Sequence, residues 1–201
     1  MVRAVVFDIG RVIIQWDLRH LFAKLIADEA ELDWFLANVV TEAWHHQQDE
    51  GRPLADMVPE RKLAFPQHAA LIDAYATRFN ETVPGPVAGT HDLIERLDAA
   101  GVPLFGLSNF GADFWPDFRC EWPVFDRFRD IVVSGHELCA KPDARIYEIA
   151  ERRFGLPPEQ LLFVDDKPEN IAAAVARGWH GHVFTDAASL AADLQTRGLL
   201  A

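Results

Sequence analysis

The stretch Ala4-Val5-Val6-Phe7-Asp8-Ile9-Gly10 decides the fold of this chain. Its four consecutive apolar residues, β-branched in the middle, predict a strand buried on both faces of a sheet. A carboxylate and a glycine stand where the apolar run stops, so we expect Asp8 at the carboxyl edge of that sheet. Open parallel sheets bind ligands at this edge, and a carboxylate there can be a nucleophile, a metal ligand or a strand cap.

Strand and helix patterns alternate along the second part of the chain, from residue 84 onwards. Apolar runs predict four further strands, over residues 102–107, 131–133, 161–164 and 182–184. Helical patterns separate them, one of which we expect Pro142 to open. We also expect the aromatic stretch 110–128 to be a loop whose rings pack into the core. This alternation predicts a doubly wound, Rossmann-like parallel α/β sheet.

The segment between the first strand and residue 84 shows helical spacing alone. Apolar residues recur at helical intervals over 18–26, 32–40 and 71–79, with no strand between them. Pro84, Gly85 and Pro86 then mark a connector. We therefore predict a core domain of residues 1–16 and 84–201 that carries an inserted α-helical cap of residues 17–83.

Composition and charge limit the classes of partner. Nineteen Lys and Arg against 31 Asp and Glu give a net charge of -12, which argues against nucleic acid and anionic membranes. An anionic substrate would need a local positive site. Cys120 and Cys139 are too few for a disulfide framework, and neither a signal peptide pattern nor a membrane span is visible. We therefore expect reduced thiols and a cytoplasmic location.

Polar residues follow the predicted strands at their carboxyl ends, where a parallel sheet brings them together. These residues are Asp8, Ser108, Lys141, Asp165 and Asp166. Three carboxylates and a lysine fit a hard divalent cation, most plausibly Mg²⁺, beside a separate positive charge. Both charges are what a phosphoryl group needs, because a carboxylate attacks a phosphate dianion poorly until the charge is neutralised. The predicted chemistry is attack by Asp8, an aspartyl-phosphate intermediate and hydrolysis by water.

Four ordered motifs carry a family resemblance across nearly the whole chain. The sequence resembles the haloacid dehalogenase (HAD) superfamily at Phe7-Asp8-Ile9-Gly10, Leu107-Ser108-Asn109, Lys141-Pro142 and the stretch 163–170. Within that superfamily it looks most like bacterial sugar-phosphate phosphatases of the glucose-1-phosphatase type and the phosphatase domain of soluble epoxide hydrolases. The helical insertion resembles the cap that closes over the substrate in this superfamily. The resemblance implies a small phosphorylated substrate.

The resemblance also implies a role for each motif residue. Asp8 would be the nucleophile and a metal ligand, and the Gly10 carbonyl would be another ligand. Asp166 would bind the metal with Asp165 beside it, where Asp165 has either a direct role or only caps a helix. Ser108 and Lys141 would bind the phosphate and the intermediate. Asn109 is a further candidate for contact with the phosphate, and so is Arg11, unless Arg11 is simply exposed beside a turn.

Gly10 departs from the phosphatase pattern. Most phosphatases of the superfamily have a second aspartate two residues after the nucleophile as general acid and base, and glycine cannot deliver a proton. Losing a positioned acid costs on the order of 10² to 10⁴ in rate. We expect a slow phosphatase or a leaving group that needs little protonation, unless a group from the segment 44–51 substitutes. We expect its adjacent His45 and His46 to be a solvated surface pair.

Two rival functions stay open at this point. A 2-haloacid dehalogenase uses the same aspartate without a metal and is compatible with a nonacidic residue at Gly10, although the Asp165-Asp166 pair argues against it. The second rival is a catalytically silent protein of the same fold that binds metal and phosphate. Metal dependence separates the first rival from the phosphatase, and turnover separates the second.

Overall fold

A computed structural model describes all 201 residues of the chain. Five parallel strands form one sheet in the order β3-β2-β1-β4-β5, which confirms the predicted parallel α/β fold. The strands are β1 (Ala4–Phe7), β2 (Leu104–Ser108), β3 (Asp130–Val133), β4 (Leu161–Asp165) and β5 (His180–Val183). The stretch that opens the chain thus forms the central strand.

Eleven α-helices accompany the sheet, and none has the length and apolar content needed to span a bilayer. Between β1 and β2 lie α1 (Leu18–Phe22), α2 (Glu29–Asn38), α3 (Glu42–Asp49), α4 (Leu54–Ala64), α5 (Ala69–Thr77) and α6 (Thr90–Ala99). The others are α7 (Trp115–Cys120), α8 (Ser134–Glu137), α9 (Ala144–Phe154), α10 (Pro168–Ala176) and α11 (Ala187–Thr196). We call α1–α5 the helical insertion. Its separation from the core at residues 17 and 83 stays a prediction.

The central strand has both faces buried because helices cover the sheet on both sides. All four side chains of β1 are fully buried, and they alternate between two apolar clusters. Ala4 and Val6 pack in the cluster that includes α9 and α10 residues. Val5 and Phe7 pack in the larger cluster, which extends through α6 and α11 into the helical insertion. A continuous apolar run is therefore what this position requires.

Several local expectations differ from the structure. The aromatic stretch 110–128 packs into the core as predicted, with Phe118 and Phe125 fully buried, but it contains α7 and a 3-10 helix instead of a loop. Pro142 does not open α9, because Asp143 is the N-cap and its carboxylate accepts from the backbone of Arg145. The strand predicted at 182–184 is β5, which begins two residues earlier.

Two helices of the insertion went unpredicted as separate elements. In α3, polar residues dominate, so its apolar periodicity is weak, although Thr41 caps its first turn by accepting from the backbone of Trp44. In α4, Pro59 lies inside the helix, where proline lacks the N–H that a helix interior uses. The polar residues of α3 and the proline in α4 therefore kept the apolar spacing from predicting these two helices.

Candidate active site

The residues predicted at the strand ends lie together in the structure. Asp8 follows β1, Ser108 and Asp165 are the last residues of β2 and β4, and Asp166 follows directly. Lys141 comes from the segment that leads into α9. Because β2, β1 and β4 are neighbours with parallel register, these ends form one edge of the sheet.

Lys141 is the buried centre of this group. Its ammonium nitrogen lies 2.8 Å from Asp8 Oδ1 and 2.7 Å from Asp165 Oδ2, and it donates to the carbonyl of Leu107 at 2.7 Å. All three donor positions of the ammonium group therefore have acceptors. The Lys141 side chain is 1% exposed, and the two carboxylates hold its pKa above the usual range although burial opposes the charge. Lys141 is therefore a fixed positive charge beside Asp8.

Asn109 fixes the backbone of Lys141. Its amide oxygen accepts from the backbone N–H of Lys141 at 2.8 Å, and its amide nitrogen donates to the carbonyl of Lys141 at 2.9 Å. This pair of bonds joins the end of β2 to the segment before α9. The side chain predicted to touch phosphate is thus already engaged in positioning the lysine.

Ser108 contrasts with its neighbour. Its side chain is fully buried, and its hydroxyl oxygen has no hydrogen-bond partner. Leaving a buried hydroxyl unpaired costs about 1–3 kcal/mol. An unpaired donor at the end of β2 is what a bound anion would satisfy.

Asp165 uses both carboxylate oxygens within the protein. Oδ1 accepts from the backbone N–H of Lys167 at 2.8 Å, and Asn170 Nδ2 lies 3.0 Å from each oxygen. Together with Lys141, these donors surround a side chain that is 0% exposed. Asn170 carries no strand-end pattern in the sequence; the signal that could have identified it is Pro168, which opens α10 and places Asn170 in its first turn.

Burial and neighbouring negative charge raise the pKa values of Asp8 and Asp166. Burial raises the pKa of Asp8 to about 7, and Asp165 and Asp166 add to this effect while Lys141 opposes it. Burial also raises the pKa of Asp166, and the charge of Asp165 contributes. Carboxylate oxygens of Asp8, Asp165 and Asp166 lie within 4.8 Å of one another. This is an oxygen-rich set of the kind that binds hard divalent cations.

A cavity of about 360 Å³ opens over this edge of the sheet. Asp8, Gly10, Lys141 and Asp166 line its floor, and the helical insertion supplies much of its opposite wall. Apolar and aromatic surface comes from Ile14, Trp16, Phe79 and Phe110. The volume lies in the ~300–1,000 Å³ range of small-molecule sites. Sequence patterns identified none of these wall residues, because they come from three separate parts of the chain: the segment between β1 and α1, the 3-10 helix at Phe79 and the segment after β2.

Helix α3 places four titratable side chains in the cavity wall: Glu42, His45, His46 and Asp49. The expectation of a solvated histidine pair is wrong for His45, which is 7% exposed and stacks between the rings of Trp16 and Phe79. Its Nδ1 lies 2.6 Å from the hydroxyl of Tyr75, and burial lowers its pKa. His46 is half-exposed. The two rings thus have different environments because adjacent helical residues point about 100° apart.

Arg11 connects the turn after β1 to the helical insertion. Its guanidinium bonds Glu42 at the start of α3 at 2.7 Å and lies over the Trp16 ring. The backbone of Arg11 has a φ of 62°, an uncommon conformation for a residue with a side chain. Arg11 also lines the cavity, so its guanidinium is at the mouth of the site.

The parallel sheet and the cluster of carboxylates and lysine at its carboxyl edge point to a hydrolase. The haloacid dehalogenase-like hydrolase family matches residues 2–178, and the chain belongs to this family.

Relatives in this family have more than one activity. The sesquiterpene phosphatase astK of Aspergillus oryzae is 28% identical over 209 residues, which cover 98% of this chain and 96% of that protein. An (S)-2-haloacid dehalogenase of Pseudomonas putida is 33% identical, but over 53% of this chain and 44% of its own length. A HAD family enzyme from Bacteroides thetaiotaomicron, crystallised with magnesium and inorganic phosphate, superposes with a TM-score of 0.70 at 20% identity, covering 92% of this chain and 96% of that one.

Proposed function

We propose that this hydrolase is a Mg²⁺-dependent phosphatase that acts on a small phosphorylated metabolite, a sugar phosphate in the first instance, through an aspartyl-phosphate on Asp8. The observation that carries the proposal is the cluster of Asp8, Asp165 and Asp166 around the buried ammonium group of Lys141. The astK relative, which aligns over nearly the whole chain, is a phosphatase by name. The magnesium and phosphate in the Bacteroides structure agree with this chemistry.

The charge of the cavity supports a requirement for a cation. Five carboxylates line it against three Lys and Arg side chains: Asp8, Glu42, Asp49, Asp166 and Glu169 against Arg11, Lys141 and Lys167. A phosphate dianion would be repelled by this lining. We assign Asp8, Asp166 and the carbonyl of Gly10 as the ligands of Mg²⁺. The bound ion would neutralise phosphate charge and lower the pKa of Asp8.

Asp165 has a different role in this proposal. Its oxygens already accept hydrogen bonds from Lys141, the backbone of Lys167 and Asn170. We therefore assign Asp165 to positioning the lysine and not to direct ligation of the metal. Asp165 therefore contributes to the metal site chiefly through its charge and its hold on Lys141.

The chain's own residues then divide the reaction between them. Asp8 attacks phosphorus while Lys141, 2.8 Å from its carboxylate, supplies positive charge to the transition state. The unpaired hydroxyl of Ser108 donates to a phosphate oxygen, and Asn109 keeps Lys141 in place through its backbone. Water then attacks the phosphorus of the aspartyl-phosphate and regenerates Asp8.

The experiment is phosphate release from a panel of phosphoesters with Mg²⁺ and then with EDTA. The panel contains p-nitrophenyl phosphate, glucose 1-phosphate and a prenyl monophosphate, since one relative is a sesquiterpene phosphatase. We expect activity that EDTA and Asp8→Asn abolish. The exposed variant Asp73→Asn, which loses only an ion pair to Lys62 outside the cavity, is the matched control.

The second candidate is a 2-haloacid dehalogenase. The 33% identity to the Pseudomonas dehalogenase and the absence of an acid at Gly10 favour it. Halide release from (S)-2-chloropropionate that continues in EDTA, with no phosphate release from the panel, would establish this activity and refute the phosphatase. A protein that releases neither product but binds Mg²⁺ would be a binding protein.

A further inference from the structure

Helix α3 presents a histidine–aspartate pair to the cavity. His46 Nδ1 lies 3.3 Å from Asp49 Oδ2, and both side chains line the cavity that Asp8 lines from the sheet. Glu50 Oε1 is 3.8 Å from His46 Nε2 and does not reach hydrogen-bond distance. The His46 side chain is half-exposed, so its Nε2 is free to exchange a proton with a molecule in the cavity.

The burial of Asp49 fits a carboxylate that orients the ring of His46. The residue is 5% exposed, and its Oδ1 has no hydrogen-bond partner although His45 Nε2 lies 3.6 Å away. A buried carboxylate that is only partly paired is costly. The structure thus places unsatisfied acceptor capacity in the wall of the cavity, next to the histidine.

Three contacts fix α3 against the rest of the structure. Glu42 bonds Arg11, Gln48 packs against Gly111, and Gly51 lies against Leu138. They lie at the first residue of the helix, near its end and two residues beyond it. The backbone position of His46 in the cavity wall is therefore set by the packing of α3.

We propose that His46, oriented by Asp49, is the general acid and base that the chain lacks at Gly10. The inference rests on the proposed phosphatase function and deepens it. As Asp8 forms its bond to phosphorus, protonated His46 gives the Nε2 proton to the leaving oxygen, whose bond to phosphorus breaks. Neutral His46 then takes a proton from the water that attacks the aspartyl-phosphate. Asp8 and inorganic phosphate are released, and His46 is protonated again.

The charges around His46 suit this cycle. The hydrogen bond to Asp49, with the charges of Asp49 and of Glu50 at the end of the helix, raises the pKa of His46, and this effect outweighs the opposing effects of partial burial and Lys167. The raised pKa favours the protonated ring that the first step needs. His45 is unsuited to the same task, since burial lowers its pKa and its Nδ1 is already engaged with the hydroxyl of Tyr75.

The test compares His46→Asn with wild type on two leaving groups. Asparagine can keep a contact with Asp49 but cannot transfer the proton. With an alkyl phosphate we expect kcat to fall by about 10²-fold. With p-nitrophenyl phosphate the leaving group needs no proton, so the first step should keep its rate while hydrolysis of the intermediate slows. The expected signature is a rapid burst of one equivalent of nitrophenol followed by slow turnover.

The matched control is His20→Asn, an exposed histidine on α1 outside this cavity, which should leave both substrates unaffected. Asp49→Asn should reproduce the burst in weaker form, because Asp49 is a positioning residue. Equal slowing of both steps in His46→Asn, or unchanged turnover of the alkyl phosphate, would overturn the assignment. Failure of wild type to release phosphate from any ester would instead refute the proposed function, so the two failures are distinguishable.

Discussion

The ammonium nitrogen of Lys141 lies 2.8 Å from the carboxylate oxygen Oδ1 of Asp8, and both side chains are buried. Asp8 follows β1 and Lys141 precedes α9, so the pair joins residues far apart in the chain. The lysine restrains the carboxylate and partly neutralises it. In our account this contact prepares Asp8 to attack a phosphate.

Replacing Lys141 should destabilise the protein as well as abolish turnover. Lys141→Met leaves Asp8 and the fully buried Asp165 without their counter-charge. Breaking a buried ion pair from one side costs about 3–5 kcal/mol, whereas an exposed pair contributes about 0–1 kcal/mol. Urea unfolding should show a loss of this size for Lys141→Met and little change for Lys62→Met, whose pair with Asp73 is exposed. Equal stability of the two variants would contradict the role assigned to Lys141.

The raised pKa of Asp8 predicts a specific pH dependence of stability in the metal-free protein. The unfolded chain loses the Asp8 proton near pH 4, whereas the folded protein keeps it to about pH 7. Between these values the folded state binds more protons, so the free energy of unfolding falls as pH rises, by on the order of 1–4 kcal/mol. Asp8→Asn should lack this part of the decline. Identical pH profiles of the two proteins in EDTA would refute the prediction.

The contact between Gly111 and Gln48 should matter for the placement of α3. A Cβ at residue 111 would overlap the amide group of Gln48, and the Gln48 side chain is fully buried. Gly111→Ala should therefore shift α3, lower stability by about 1–3 kcal/mol and reduce kcat. Gly85→Ala is the matched control, because nothing lies within 4 Å of its Cβ. Thermal unfolding and turnover that are the same in both variants would show that this contact does not position the helix.

Introducing an acid at Gly10 tests whether His46 replaces the missing general acid. Nothing lies within 4 Å of a Cβ built at this residue, and its φ is not positive, so a side chain is sterically allowed. Gly10→Asp puts an acid two residues after the nucleophile. When Gly10→Asp is combined with His46→Asn, we expect turnover of the alkyl phosphate to be at least tenfold higher than in His46→Asn alone. The reason is that a positioned acid contributes about 10²–10⁴-fold. Gly10→Asn, similar in size but without the acid, should restore none.

The sequence was sufficient for the sheet and the strand-end residues because both depend on local patterns. Apolar runs marked β1 and β4, and polar residues at their ends marked Asp8 and Asp165. The cavity wall was not predictable in this way. Trp16 and Phe79 meet around His45 only because the insertion folds back over the sheet, and the sequence contains no periodicity that reports such a contact.

The sequence also could not predict which groups the polar side chains of the site bond to. Asn109 follows the serine in a motif that indicates phosphate contact, yet its amide pairs with the backbone of Lys141. The segment that contains His46 was identified by its titratable groups alone. Only the structure separates buried His45 from half-exposed His46, because the direction of each ring depends on where α3 packs.

The most direct measurement for the phosphatase account is the mass of the peptide that contains Asp8, after acid quenching of the enzyme during turnover of p-nitrophenyl phosphate with Mg²⁺. The account predicts that this peptide gains the mass of one HPO₃ unit, that fragmentation places it on Asp8, and that EDTA prevents it. Phosphate release without phosphorylation of Asp8, or with phosphate on another residue, would contradict the account.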